Sequence, residues 1–142
     1  MITLHFNCED CPVFDTEFFT STLPKLLVLE DRQEGDIAII FTNDDELLSI
    51  NQTHLKHDFY TDIITFDYSV EQHVCGDLFI SLERVADNAI AYNTLFFTEL
   101  CRVVYHGVLH LCGYNDKDEA DKLLMRTKED FYIAHFVSRE TN

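Results

Sequence analysis

The residues best equipped for chemistry in this chain lie in one short segment, His106-Gly-Val-Leu-His-Leu-Cys-Gly-Tyr-Asn-Asp116. Two histidines stand four residues apart, and on an α-helix that step leaves both imidazoles within about 40° of one face, one turn apart. Their ring nitrogens can then reach one cation at about 2.0–2.1 Å. Gly113 supplies a left-handed helix stop, after which Tyr114 and Asn115 let the chain fold back and present Asp116. Two neutral nitrogens and one carboxylate leave a position open for water, the layout of a catalytic rather than a structural zinc. Water held there has its pKa lowered from ~15.7 to about 7. Bland roles compete. A single helical histidine is more often a satisfied core residue, and Asp116, followed by Glu119, also suits the N-cap of a last helix. Asp118 is the fallback third ligand. His135, a long helix away, is expected at the surface, and Cys112 points away from His106 into the core.

The spacing HxxxHxxGxxD is close to the long metalloprotease motif HExxHxxGxxH, but the residue after the first histidine is Gly107. In those proteases a glutamate there takes the proton of the attacking water. Peptide hydrolysis by that route lacks its base here.

The histidines sit on a stretch that is apolar nearly all round, with Leu95, Phe96, Phe97, Leu100, Val103, Val104, Val108 and Leu109, so its helix is buried. That helix is expected from Asn93 or Thr94 to Gly113. Before it, residues 1–7 alternate as a half-buried strand, and 14–30 read as helical, with Pro24 splitting the stretch or opening a second helix after Thr22. Asp36–Thr42 reads as an inner strand. Asn43 is an N-cap with Glu46 placed for a capping box, opening a helix to about residue 54. Thr61–Tyr68 and Cys75–Ile80 read as strands, Ser81 caps a helix to about Tyr92, and an amphipathic helix runs from about Asp116 to Phe136. Helices and strands are mixed without strict alternation. The expected fold is α+β, a single mixed sheet of about four strands with helices packed on it and the metal site on a central buried helix. One domain over 1–142 is expected from length, and hydrophobic residues at 46% exclude a disordered chain.

Ten Lys and Arg against 26 Asp and Glu leave a net charge of −16. Nucleic-acid binding usually shows a basic face, because neutralising phosphates supplies affinity, and none is advertised here. No apolar run approaches the ~20 residues of a membrane span. The first residues lack a secretory pattern, so a cytoplasmic protein is expected. Five cysteines, an odd number without an export signal, argue for reduced thiols. Cys8 and Cys11 form one CxxC pair with no second pair to complete a zinc site, and read as incidental thiols.

HGVLHLCGYND closely resembles the HGxLHLxGYDH signature of the YbeY family of bacterial rRNA-maturation endoribonucleases. Asn51, Asp58 and Thr61-Asp-Ile-Ile-Thr-Phe66 look like that family's LN…KD…TDVLSF stretch. Gly76-Asp-Leu-Phe-Ile-Ser81 looks like its GDI-I strand, and Met125 and Glu129 recur in the last helix. The likeness spans about residues 47–130. It implies a single α+β domain, one zinc ion, cleavage of ribosomal RNA precursor during small-subunit maturation, and a link to ribosomes or ribosomal proteins in quality control. The family's three metal histidines fall on His106, His110 and Asp116, the last a departure that keeps a competent ligand. A second departure is Leu55, where the family has an arginine suited to phosphate or to oxyanion charge. Lys56 and His57 are the neighbouring candidates for that catalytic help, without its bidentate geometry. Asp62 and Asp77 either orient the site or cap strand ends. Two other classes stay open: a metal-stabilised ribosome assembly factor without catalysis, and a metal-dependent peptidase or amidase. Sequence alone does not fix the oligomeric state.

Overall fold

The structure, a computed structural model, describes residues 1–56 and 60–137; His57 and Asp58 lie outside the described residues. The order is β1 (Ile2–Phe6), α1 (Thr16–Leu29), β2 (Gln33–Thr42), α2 (Asp44–Ile50), a wide turn over Asn51–Leu55, β3 (Ile63–Asp67), β4 (His73–Ser81), α3 (Leu82–Ala91), α4 (Phe96–Leu111), α5 (Glu119–Tyr132) and a second wide turn over Ile133–Val137. The four strands form one mixed sheet in the order β1-β2-β4-β3. β1 and β4 run parallel to β2, and β3 runs antiparallel to β4. This is the expected α+β class.

Period-two alternation decides which face is covered. Ile37, Ile39 and Phe41 of β2 and Val74, Leu78 and Ile80 of β4 are buried, while Ala38, Ile40, Asp77 and Phe79 between them are half-buried. α1 adds Phe19, Leu23, Leu26 and Leu27 to the same core, and α4 adds Leu100, Val104, Val108 and Leu109. α4 lies so close to the sheet that a Cβ on Gly107 would come within 2.7 Å of Ile63 Cδ1 and 3.0 Å of both Leu78 methyls.

Several boundaries differ from expectation, each for a local reason. α1 is one helix with Pro24 inside it, because its buried apolar stripe outweighs the hydrogen bond that proline removes. β2 begins at Gln33, ahead of the expected Asp36, by pairing Gln33 and Glu34 with His73 and Val74 before a bulge. α4 starts at Phe96, since Asn93, at φ 54°, ends α3: its N–H reaches Ile90 O and the Thr94 N–H reaches Ala89 O, a Schellman stop. α5 starts at Glu119 and ends at Tyr132, inside the expected Asp116–Phe136, because Asp118 caps it by accepting from the Asp121 N–H at 2.8 Å. Asn43 and Ser81 cap α2 and α3 as expected. Glu46, however, accepts from Thr42 and Asn7 rather than closing a capping box. Cys8 and Cys11 are joined as a disulfide in the loop after β1, not left as thiols; their Cα atoms are 5.5 Å apart, within the range a bridge spans. Cys75, Cys101 and Cys112 are free. Among the described residues no helix is long and apolar enough to cross a membrane.

Candidate metal centre

α4 carries His106 and His110 on one face, their ring centroids 4.8 Å apart. The helix then ends in a second Schellman stop. Gly113, at φ 105°, donates to His110 O and Tyr114 donates to Leu109 O, which turns the chain back across the histidine face. Asp116 follows on that return, and its Oδ2 lies 3.7 Å from His106 Nε2. One ligand atom from each of His106, His110 and Asp116 falls within 4.8 Å of the other two. A tetrahedral ion with ~2.1 Å bonds sets its ligands roughly 3.4 Å apart, so side-chain adjustment alone fits the triad to a divalent cation. The bland role of Asp116 is taken by Asp118, whose N-capping removes it as third ligand. Cys112 is buried, as expected, and donates nothing to the triad.

The surroundings orient these donors. His106 Nδ1 is 2.6 Å from Glu129 Oε2, which leaves Nε2 facing the triad. Glu129, 7% exposed, is itself held by Arg102 Nη1 at 3.0 Å, and Arg102 also reaches Asp130 Oδ1 at 2.7 Å. Such a carboxylate behind a ligating imidazole fixes its tautomer and raises its basicity. Burial pulls the His106 pKa down, but the Glu129 bond and the charges of Glu129, Asp116 and Asp62 leave it raised. Burial and the His106 charge push His110 down.

The loop bearing Asp116 is tied to the end of α1, distant in sequence. Tyr114 Oη donates to Glu30 Oε1 at 2.6 Å; Tyr132 Oη and, at 3.2 Å, Lys128 Nζ bond to Oε2 of the same carboxylate. Burial pushes Glu30 up, but its three donors outweigh it and its pKa is lowered. Arg32 Nη2 donates to Cys112 O at 3.0 Å, closing the end of α4.

Two cavities flank the triad and share a wall of Asp62, Ile63, His106 and Asp116. The first, about 380 Å³, runs toward Arg102 and Arg126. The second, about 580 Å³, is a groove running toward Asn51, Leu55 and Tyr114. Asp62 thus stands beside the triad, its Oδ2 accepting from Asn88 Nδ2 at 3.3 Å, and burial raises its pKa against the pull of His106. Asp77 sits mid-strand opposite Ala38 and Phe66, away from a strand end, and lines neither cavity. Leu55, 41% exposed, forms groove wall, whereas Lys56 beside it is exposed on left-handed backbone and lines neither cavity. His57 lies outside the described residues. His135 is half-buried beside an open surface cavity, stacked on Phe131, and is not part of the triad. The roles of Glu129 and Glu30 were not read from sequence; the signal for the first was a carboxylate on the apolar stripe of α5, between Met125 and Tyr132.

The sequence profile of the family described as Endoribonuclease YbeY matches residues 13–137. A protein of Flavobacterium johnsoniae named Endoribonuclease YbeY is 49% identical over 134 residues, covering 94% of this chain and 96% of its own. A namesake in Flavobacterium psychrophilum is 46% identical with the same coverage. The solution structure of TM1509 from Thermotoga maritima superimposes with a TM-score of 0.72 at 25% identity, over 99% of this chain and 92% of that one. With both the profile and these close relatives spanning most of its length, the chain belongs to the endoribonuclease YbeY family, a family of hydrolytic nucleases.

Proposed function

We propose that this protein is a zinc-dependent endoribonuclease that cleaves single-stranded stretches of ribosomal RNA precursor in small-subunit maturation and ribosome quality control, in the cytoplasm and as one domain. The observation that carries the reading is the convergence of His106, His110 and Asp116 within 4.8 Å at the meeting of two open cavities. A divalent ion bound there supplies Lewis-acid charge to a phosphodiester and lowers the pKa of water.

The chain's own groups do the rest. Water adds to phosphorus and the P–O bond to one ribose oxygen breaks. As a proton leaves the attacking oxygen, another is taken up by the departing ribose oxygen, which leaves as a hydroxyl. Asp62, on the wall shared by both cavities, is placed to accept the proton of the attacking oxygen. Glu129 keeps the His106 Nε2 lone pair toward the triad, and Glu30 holds the loop that presents Asp116. Lys56 follows Leu55, which lines the groove, and would serve phosphate charge there only by turning its exposed side chain inward.

A peptidase reading is opposed by Gly107, where a Cβ would press on Ile63 and Leu78 and a glutamate has no room. A non-catalytic assembly factor is favoured by the net charge of −16 and by the apolar Leu55. Metal analysis and ribosomal-RNA cleavage on the same preparations of wild type, Asp116→Ala and His110→Ala decide between them. The enzyme reading expects about one zinc per wild-type chain, RNA cleavage, and loss of both in folded variants. Wild type that binds zinc, cleaves no RNA, and melts when the histidine is removed makes the metal structural.

A further inference from the structure

We propose that Arg126, with Lys122 one turn before it on α5, holds a backbone phosphate of an RNA strand next to the phosphate lying over His106, His110 and Asp116. This deepens the RNA-cleaving reading and rests on it.

The candidate centre lies where two cavities meet, so a strand crossing it extends into both. No Lys or Arg among the described residues lines the groove on the Leu55 side. The other cavity collects three of the chain's ten cationic side chains, Arg102, Lys122 and Arg126. Arg102 is spent on Glu129 and Asp130. Lys122 and Arg126, exposed and four residues apart on one face of α5, make no side-chain hydrogen bond or ion pair among the described residues. Burial raises the Glu99 pKa, though, and Arg126 lies near enough to that carboxylate to help pull it down. An unengaged guanidinium is a planar fork that matches phosphate oxygens two at a time. Tyr92, on the same cavity and 67% exposed, adds a ring on which a base can stack. A cation beside an aromatic face is how single strands are gripped without reading sequence. The same cavity carries the carboxylates of Asp62, Glu99, Asp116 and Glu129. Glu129 is paired with Arg102 and Asp116 belongs to the triad, so the exposed Lys122 and Arg126 are the counter-charge left for phosphate there.

The test is fluorescence anisotropy of a labelled single-stranded oligoribonucleotide on metal-free full-length protein, in which binding is read without cleavage. Arg126→Glu is expected to weaken binding roughly tenfold and to reduce the slope of log affinity against log salt by about 0.7, one phosphate's share for a single strand. Arg126→Lys retains part of the affinity. Lys25→Glu, an equal charge change on the exposed side of α1, stays within about twofold of wild type. Unchanged affinity in Arg126→Glu, or equal damage from Lys25→Glu, overturns the proposal. The same samples loaded with zinc separate it from the underlying reading. RNA that binds through Arg126 yet is never cleaved removes the catalytic reading alone; cleavage undiminished in Arg126→Glu removes this one alone.

Discussion

His106 Nδ1 is bonded to a glutamate that never reaches the triad, and that second carboxylate sets how well the imidazole serves as a ligand. Glu129→Gln keeps the shape but removes the charge, and zinc affinity is expected to fall 10- to 100-fold, read by competition with a chromogenic chelator. An unchanged affinity would show that the tautomer is fixed by something else. The same bond gives a pH signature. The His106 pKa is raised above 6.5 and that of His110 is lowered below it. In the metal-free protein the His106 proton therefore stabilises the fold fully below pH 6.5, and this contribution is lost as pH rises through the raised value. A cation must displace that proton. Apparent zinc affinity is thus expected to decline on acidification from above pH 6.5 and to fall more steeply below it, as His110 also protonates. Titrations from pH 8 to about 5.5 check this, and an affinity flat across that range contradicts it.

At the level of elements, a single helix ending decides whether the triad assembles. α4 stops at Gly113 and the return loop is pinned by Tyr114 to Glu30, a residue 84 positions away in sequence. Glu30→Ala leaves two tyrosines and Lys128 without their acceptor and is expected to cost about 3 kcal/mol in denaturant unfolding, with a parallel loss of zinc affinity. Stability within 0.5 kcal/mol of wild type, on the scale of ordinary surface changes, would show the clamp to be slack. Gly107→Glu recreates the protease-like HExxH string but forces a charged side chain against Ile63 and Leu78. The expected result is a protein destabilised by more than about 3 kcal/mol and no peptide hydrolysis; a stable, peptide-cleaving variant would revive that class. The histidine pair, the glycine stop and the return to Asp116 were legible because all three are local, fixed by the pitch of a helix and one positive φ. What sequence left ambiguous was non-local. Asp116 suits a helix cap as well as a metal, and Asp118 a metal, until the Asp118 side chain is seen on the Asp121 N–H. The partners of Glu129 come from α4, and those of Glu30 from α5 and the loop before it, so the pattern of either carboxylate's own helix does not say what it meets. Pro24 was over-weighted for a similar reason: its local cost is visible in the sequence, while the core that absorbs it is not.

The whole molecule is strongly anionic, and its two electrostatic responses have opposite signs. Added salt screens the self-repulsion of −16 net charges, so the melting temperature of the metal-free protein is expected to rise between about 10 and 200 mM NaCl, as scanning calorimetry can read. RNA affinity over the same range is expected to fall as phosphate contacts are screened. A melting temperature that also falls would mean that specific ion pairs, such as Arg102 with Glu129 and Asp130, outweigh the general repulsion.

The ties at Glu30 and Glu129 also govern the order of events during folding. The three donors come from one helix and its return loop, but the carboxylates that orient His106 and pin that loop reach them only once residue 30 and the last helix have docked. A nascent or misfolded chain therefore does not hold the centre in its final shape. On the proposed reading the ion arrives last, so the rate of zinc uptake on refolding measures completion of the native topology, and a half-made polypeptide holds no active cleavage centre to turn loose on cellular RNA.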